Sequence, residues 1–242
     1  MIEENKMRVL VTGSTQGIGK AIAEGFVARG DEVIVHCSVD MEKAERVRAE
    51  IGAYGAVTAD LSKADEVRSL REKTGEVDCL VLNASVQYKE PWEEISDDTF
   101  DRQIAINIKS TLLLIQSYCE AMKKKGFGRI VTIGSVNQHR QHPELVVYSA
   151  TKCAVMSLVR NIAKQVAPFG VTVNNVAPGA IATPRNADVH GDEEKRKAVE
   201  GIIPVGRFGT PEDCVGTVLL LCSEQGSYIT GADIVVDGGM LL

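Results

Sequence analysis

Short runs of β-branched and aliphatic residues alternate with longer amphipathic stretches from one end of the chain to the other. The runs at Arg8–Thr12, Glu32–His36, Gly55–Ala59, Val77–Asn83, Arg129–Ser135, Val171–Ala177 and Ala232–Asp237 predict strands. Between them, helical spacing of apolar residues predicts helices over Gly17–Ala28, Glu42–Ile51, Ala64–Lys73, Asp97–Lys124, Val147–Ala167 and Pro211–Cys222. Ser96 or Asp97 caps the longest helix, and Pro211 falls in the first turn of the last. The strand runs are continuously apolar instead of alternating, the pattern of strands covered on both sides. Together they predict an α/β fold in a single domain over residues 1–242. Its core is a doubly wound parallel sheet with helices on both faces.

One stretch breaks the rhythm. Residues Gly179–Phe208 are rich in Gly, Pro and charge, and carry only a short helical pattern near Asp192–Val199. They follow the C-terminal end of a strand, the edge at which open α/β sheets bind ligands, so residues 179–208 are a candidate substrate lid.

The first strand runs into Thr12-Gly13-Ser14-Thr15-Gln16-Gly17-Ile18-Gly19, which opens the first helix. Glycines let a backbone turn tightly and approach a pyrophosphate, and a helix N-terminus offers it N–H groups and positive potential. A glycine turn between first strand and first helix predicts a dinucleotide-binding Rossmann fold, although the spacing is GxxxGxG and not GxGxxG.

Bulk properties narrow the partners. The 242 residues carry 27 Lys and Arg against 33 Asp and Glu, a formal net charge of −6, so nucleic acid and anionic membrane are not expected partners. Cys37, Cys79, Cys119, Cys153, Cys214 and Cys222 form no CxxC pair, and most lie in apolar runs. That usage suits a reducing compartment. The acidic, polar start Met1–Lys6 is unlike a signal peptide, and runs such as Leu112–Ile115 and Val218–Cys222 are too short to span a bilayer. A soluble cytoplasmic protein is the expectation.

The glycine turn resembles the TGxxxGIG motif of the short-chain dehydrogenase/reductase family, and further matches run from residue 12 to 239. Tyr148-Ser149-Ala150-Thr151-Lys152 resembles the family's YxxxK, with Ser135 thirteen residues upstream. Asn107 matches the family's helix asparagine, Pro178-Gly179 with Thr183 its PGxxxT, and Asp237-Gly238-Gly239 its closing DGG. One departure is clear: the family's NNAG reads Leu82-Asn83-Ala84-Ser85, which puts that turn and its contacts in question.

The resemblance implies a nicotinamide-dependent oxidoreductase acting on a carbonyl or secondary alcohol, with Ser135, Tyr148, Lys152 and Asn107 as catalytic residues. It places cofactor contacts on Gly13, Thr15, Gln16, Gly17, Ile18 and Gly19, then on Ser38, Asp60, Leu61, Asn83 and Ala84. Tyr148, Lys152, Pro178, Gly179, Ile181 and Thr183 complete the set, Asp60 being the adenine contact. Homo-dimers or homo-tetramers are the usual assemblies of such proteins. Within the family, a 3-oxoacyl-thioester reductase and a sugar or polyol dehydrogenase are alternatives; outside it, a nucleotide-binding protein without turnover.

Chemistry agrees with the implied roles. Reducing a carbonyl requires a hydride on carbon and a proton on oxygen. An isolated phenol ionises near about 10, too high for a good base at neutral pH. Lys152, one helical turn beyond Tyr148, puts a cation on the same face and favours the phenolate. Ser135 would hydrogen-bond the substrate oxygen. By resemblance, Asn107 would hold a water that connects Lys152 to solvent.

The second strand ends Val35-His36-Cys37-Ser38 with no carboxylate before Asp40, so nothing there accepts from a ribose 2′-hydroxyl as NAD requires. Ser38 can donate to a 2′-phosphate, with His36 beside it, yet no Arg or Lys sits at this turn and Gln16 is not basic. NADP is favoured and NAD stays open. His139 and His142 lack companions at zinc spacing, so no metal is expected. The polar run Asn137–His142, with Gln87, Arg185 and Asn186, fits either a hydroxylated or anionic substrate or an exposed loop.

Overall fold

A computed structural model describes residues 6–242; the start of the polar leader, residues 1–5, lies outside the described residues. The strands are β1 (Arg8–Val11), β2 (Glu32–Cys37), β3 (Gly55–Thr58), β4 (Cys79–Leu82), β5 (Gly128–Ile133), β6 (Val171–Pro178) and β7 (Asp233–Val236). They form one sheet in the order β3-β2-β1-β4-β5-β6-β7, and every neighbouring pair is parallel. Parallel neighbours need crossovers, and helices supply them: α1 (Gly17–Arg29), α2 (Met41–Ile51) and α3 (Ala64–Thr74) precede β4. The chain then crosses from one side of β1 to the other, which makes the space between β1 and β4 the topological switch point.

Side-chain alternation sorts the apolar runs into two cores. Leu10, Ile34, Leu80 and Ile130 face one side, where they meet Val67 and Leu70 of α3. Val9, Val33, Cys79 and Val131 face the other, against Ile22 and Phe26 of α1. Each such aliphatic side chain removed from water contributes about 1.5–3 kcal/mol, which is why most positions in these runs are apolar.

The stretch read as one helix over Asp97–Lys124 has three parts: α4 (Asp97–Gln103), a π-helical turn over Ile104–Lys109, and α5 (Ser110–Lys125). The reason lies in Asn107, whose side chain engages the backbone of Val86 on both N–H and C=O at 2.9 Å each. A widened turn carries it there while hydroxyls of Ser110 and Thr111 reach back to the carbonyls of Ile106 and Asn107. Helix α6 (Val146–Val166) then packs Val155, Met156 and Val159 beside Leu114 and Ile115 of α5.

Beyond β6, residues 179–208 hold a 3₁₀ turn at Pro184–Asn186 and two short helices, α7 (Ala187–His190) and α8 (Glu193–Glu200). The last predicted helix, Pro211–Cys222, begins instead as a 3₁₀ turn over Pro211–Cys214 before α9 (Val215–Leu221). Asp213 tightens that first turn by accepting from the Thr210 N–H at 2.7 Å while held by Arg207. Among the described residues, no helix is long and apolar enough to cross a membrane.

Candidate active site

A cleft of about 560 Å³ opens along the C-terminal ends of the strands. The glycine turn forms its floor at the switch point. Gly17 has φ +55°, a conformation that favours glycine, and opens α1. Gly19 has no room for a side chain: a Cβ there would lie 2.4 Å from Asn83 Nδ2 and 2.5 Å from the Gly13 carbonyl oxygen. Gln16 precedes α1 without capping it through its side chain, and the first turn holds no acidic residue. The N–H groups of its first residues, Gly17, Ile18 and Gly19, are therefore free to receive phosphate, which is the fit a dinucleotide requires.

Asn83 explains why the altered LNAS turn keeps its place. Its Nδ2 donates to the carbonyls of Thr12 and Gly13 at 2.9 and 3.0 Å, while Thr12 Oγ1 accepts from the N–H groups of Asn83 and Ala84. Ser85, where the family has glycine, accepts from Arg185 at both its hydroxyl and its carbonyl oxygen, at 3.1 and 2.6 Å.

His36 is not a phosphate contact, in correction of the expectation from sequence. It is 1% exposed; Nδ1 accepts from the Gly13 N–H at 3.0 Å, and Nε2 donates to the Ala59 carbonyl at 3.1 Å. Those two bonds consume a neutral imidazole's single donor and single acceptor. Burial pushes its pKa down to about 4, with the bond to Ala59 opposing. The residue clasps the glycine turn to the end of β3.

The end of the cleft beside β2 contains Ser38, Asp60 and Leu61, with Thr15 and Gln16. Asp60 Oδ1 accepts from the Ser62 hydroxyl and N–H at 2.7 and 3.0 Å, and the hydroxyl bond foremost holds its carboxyl below the usual range. A cation that sequence reasoning missed stands here. Lys43, in the first turn of α2, sends Nζ to Gln16 Oε1 at 3.1 Å and lines the cleft. No basic residue stands at the strand's end, and it is the next helix that brings one back.

At the opposite end, Ser135 follows β5, and Tyr148 and Lys152 project from α6 into the cleft. Ser135 Oγ accepts from the Asn137 N–H at 3.2 Å, and its own N–H donates to Gln138 Oε1 at 3.3 Å. Lys152 Nζ donates to the Ile133 carbonyl at 2.7 Å and lies 5.4 Å from the centre of the Tyr148 ring. Burial pushes the Lys152 ammonium down to about 7, and the positive charge of Arg185 adds to the effect. Pro178, Gly179, Ile181 and Thr183 form the wall beyond β6. Of the catalytic and cofactor residues expected from sequence, Asn107 alone stands behind the cleft wall. Besides Val86, its side chain donates to Thr151 Oγ1 at 3.1 Å.

His139 pairs with Asp233 at 2.8 Å, and among the described residues no cluster of three or more His, Cys, Asp or Glu could hold a metal.

A dinucleotide laid from Ser38 across the α1 terminus would bring its far ring beside the phenol, ammonium and hydroxyl of α6 and β5. Acid–base groups poised at that ring are the working arrangement of nicotinamide-dependent oxidoreductases, and the chain is one of them. The family model described as enoyl-(acyl carrier protein) reductase matches residues 13–241. The chain is 37% identical to 3beta-hydroxysteroid dehydrogenase 1 of Eggerthella lenta, over 97% of its own length and 93% of the relative's. It is 39% identical to the 3-oxoacyl-[acyl-carrier-protein] reductase of Aquifex aeolicus over 96% of each. The crystal structure of 3-oxoacyl (acyl-carrier-protein) reductase from Agrobacterium tumefaciens with NADP bound superimposes with a TM-score of 0.90. That pair is 36% identical over 97% and 94% of the two chains. The protein belongs to the short-chain dehydrogenase/reductase family, whose members act on CH–OH or carbonyl groups with NAD(P).

Proposed function

We propose that the protein is an NADP-dependent carbonyl reductase or alcohol dehydrogenase with Tyr148 as its general acid and base. The observation that carries this reading is the convergence of Ser135, Tyr148 and buried Lys152 in the cleft that holds the uncapped α1 terminus. The cofactor supplies the hydride exchanged with the substrate carbon. Ser135 Oγ donates to the carbonyl oxygen and fixes it beside Tyr148, whose hydroxyl delivers the balancing proton. Lys152 stabilises the resulting phenolate, which regains its proton from solvent by way of Lys152 and a water near Asn107. Oxidation runs the same transfers backward.

Lys43 and Ser38 support NADP over NAD, since together they offer a cation and a hydroxyl to a 2′-phosphate and no carboxylate to a free 2′-hydroxyl. Residues 179–208 act as the lid of a single-domain enzyme. Six free cysteines, five of them buried, support a cytoplasmic location. The exposed Val146 on α6 and Val235 on edge strand β7 support assembly into a homo-dimer or homo-tetramer, which sedimentation at micromolar concentration tests.

Fluorescence titration with NADPH and NADH, followed by absorbance turnover against a carbonyl panel, tests the main reading. Tight NADPH binding with oxidation on substrate addition is expected. A folded protein that binds neither cofactor would overturn it.

A further inference from the structure

Charge is distributed unevenly between the cleft and the rest of the molecule. The chain as a whole is acidic, with a formal charge of −6. The cleft is the reverse: Lys43, Lys89, Arg102, Arg140, Lys152 and Arg185 line it, and Asp60 is its one carboxylate among the described residues. Three of those cations have assignments. Lys43 stands at the end beside β2, Arg102 acts on Asp60 there, and Lys152 belongs to the acid–base pair. Lys89 is neutralised by Asp188 at 2.5 Å.

Arg140 and Arg185 remain, one on each wall. Arg140 lies on the turn between Ser135 and α6; Arg185 lies on the 3₁₀ turn after β6. Arg185 donates only to neutral acceptors, the hydroxyl and carbonyl oxygen of Ser85. No carboxylate is paired with Arg140 among the described residues. Both guanidiniums also act on groups lining the cleft. Burial pushes the His142 imidazole down, Glu144 opposes, and the charges of Lys89 and Arg140 push it further. Arg185 acts likewise on Lys152. Two guanidiniums without a paired carboxylate thus line one cleft with the buried Lys152, and an anion taken up there offsets their positive charge. A carboxylate is also a stronger acceptor for a guanidinium than the Ser85 oxygens, because the bond is charge-assisted.

We propose, resting on the oxidoreductase reading of this same cleft, that the substrate is an oxo- or hydroxycarboxylate whose carboxylate is held by Arg140 and Arg185. Gln87, Asn137 and Asn186 serve hydroxyl groups along its length, and Val189, Ile202 and Phe208 cover its carbon skeleton.

The test compares oxoacids with their own primary amides as substrates for NADPH oxidation at low ionic strength, in wild type, R140M and R185M. The readout is the ratio of kcat/KM for acid over amide. One charge-assisted bond corresponds to a preference on the order of tenfold or more. Wild type is expected to favour the acid by at least that, and each variant to lower the ratio by about tenfold. If Arg185 only latches the segment to Ser85, R185M slows acid and amide alike; an unchanged ratio in both variants overturns the proposal. So does a wild-type enzyme that prefers amides or other neutral carbonyls. Absence of turnover with every carbonyl would instead remove the oxidoreductase reading itself. As a readout independent of turnover, succinate should raise the melting temperature of the cofactor-free wild type more than succinamide does. Equal shifts would count against the carboxylate site.

Discussion

Lys43→Met tests how the chain distinguishes its two candidate cofactors. Asp40 caps α2 and accepts from the Lys43 N–H at 2.8 Å, so the residue's backbone is fixed and the substitution leaves the helix start intact. The side chain is half-buried and spans to Gln16 Oε1, beside Ser38. A unit charge about 4 Å from a phosphate oxygen is worth about 1 kcal/mol in bulk water and about 4 kcal/mol at an effective dielectric constant of 20. A half-buried lysine at a cleft mouth belongs near the lower end, about 1–2 kcal/mol, or roughly a five- to thirtyfold rise in KM for NADPH. NADH lacks the 2′-phosphate, so its KM should hold within about twofold. Initial-rate kinetics with both cofactors at 20 mM and 200 mM salt measure the effect. The gap between wild type and variant should narrow at the higher salt, where the Debye length falls below about 10 Å. An equal change for NADPH and NADH, or none for either, would refute the assignment of Lys43 to the phosphate.

Three further outcomes follow from the same geometry. Tyr148→Phe should keep the fold and cofactor affinity while lowering kcat by at least about a hundredfold, the usual worth of a positioned acid–base group; stopped assays beside fluorescence titration measure both. Lys152→Met removes an ammonium whose folded pKa, about 7, lies below its ordinary 10.5. Its burial cost is therefore full below pH 7 and relieved as pH rises toward 10.5, so the variant should lose turnover yet melt higher at pH 6, with the advantage shrinking by pH 9. His36→Phe leaves the Gly13 N–H and the Ala59 carbonyl without partners, and an orphaned buried group costs about 1–3 kcal/mol. Denaturant titration should show that loss together with weaker cofactor binding. In the wild type, the contribution of His36 is complete above pH 6.5 and is lost as pH falls toward 4, because only the unfolded chain takes up the proton in that window.

Much of the architecture was legible because it rests on local rules. Continuous apolar runs such as Val9–Val11 and Leu80–Leu82 must be covered on both faces, and the glycine turn announces where α1 begins. Ser135, Tyr148 and Lys152 were recognisable by interval, and the fold brings them into one cleft. What escaped depends on distance through space. Lys43 is remote from the turn it serves until α2 folds back over Gln16. His36 has the same composition cue whether it faces a phosphate or a buried Gly13 N–H. The π turn left no sign, since Ile104–Lys109 keeps an ordinary helical pattern and its cause, the backbone of Val86, lies twenty-one residues away from Asn107.

That π turn bears on how the chain tolerates changes in length. A single turn wound at i→i+5 holds one residue more than the α-helix it interrupts, and the residues on either side keep the facing they would have in an unbroken helix. Loss of one residue between Ile104 and Lys109 can be absorbed by reversion to regular winding, with Leu114, Tyr118 and Met122 still turned to the core. Elsewhere in α5 the same loss would rotate everything beyond it by about 100° and expose those side chains. The helix thus has one place where a codon can be dropped without unfolding the protein. What such an event sacrifices is the grip of Asn107 on Val86, and with it the shape of the cleft wall.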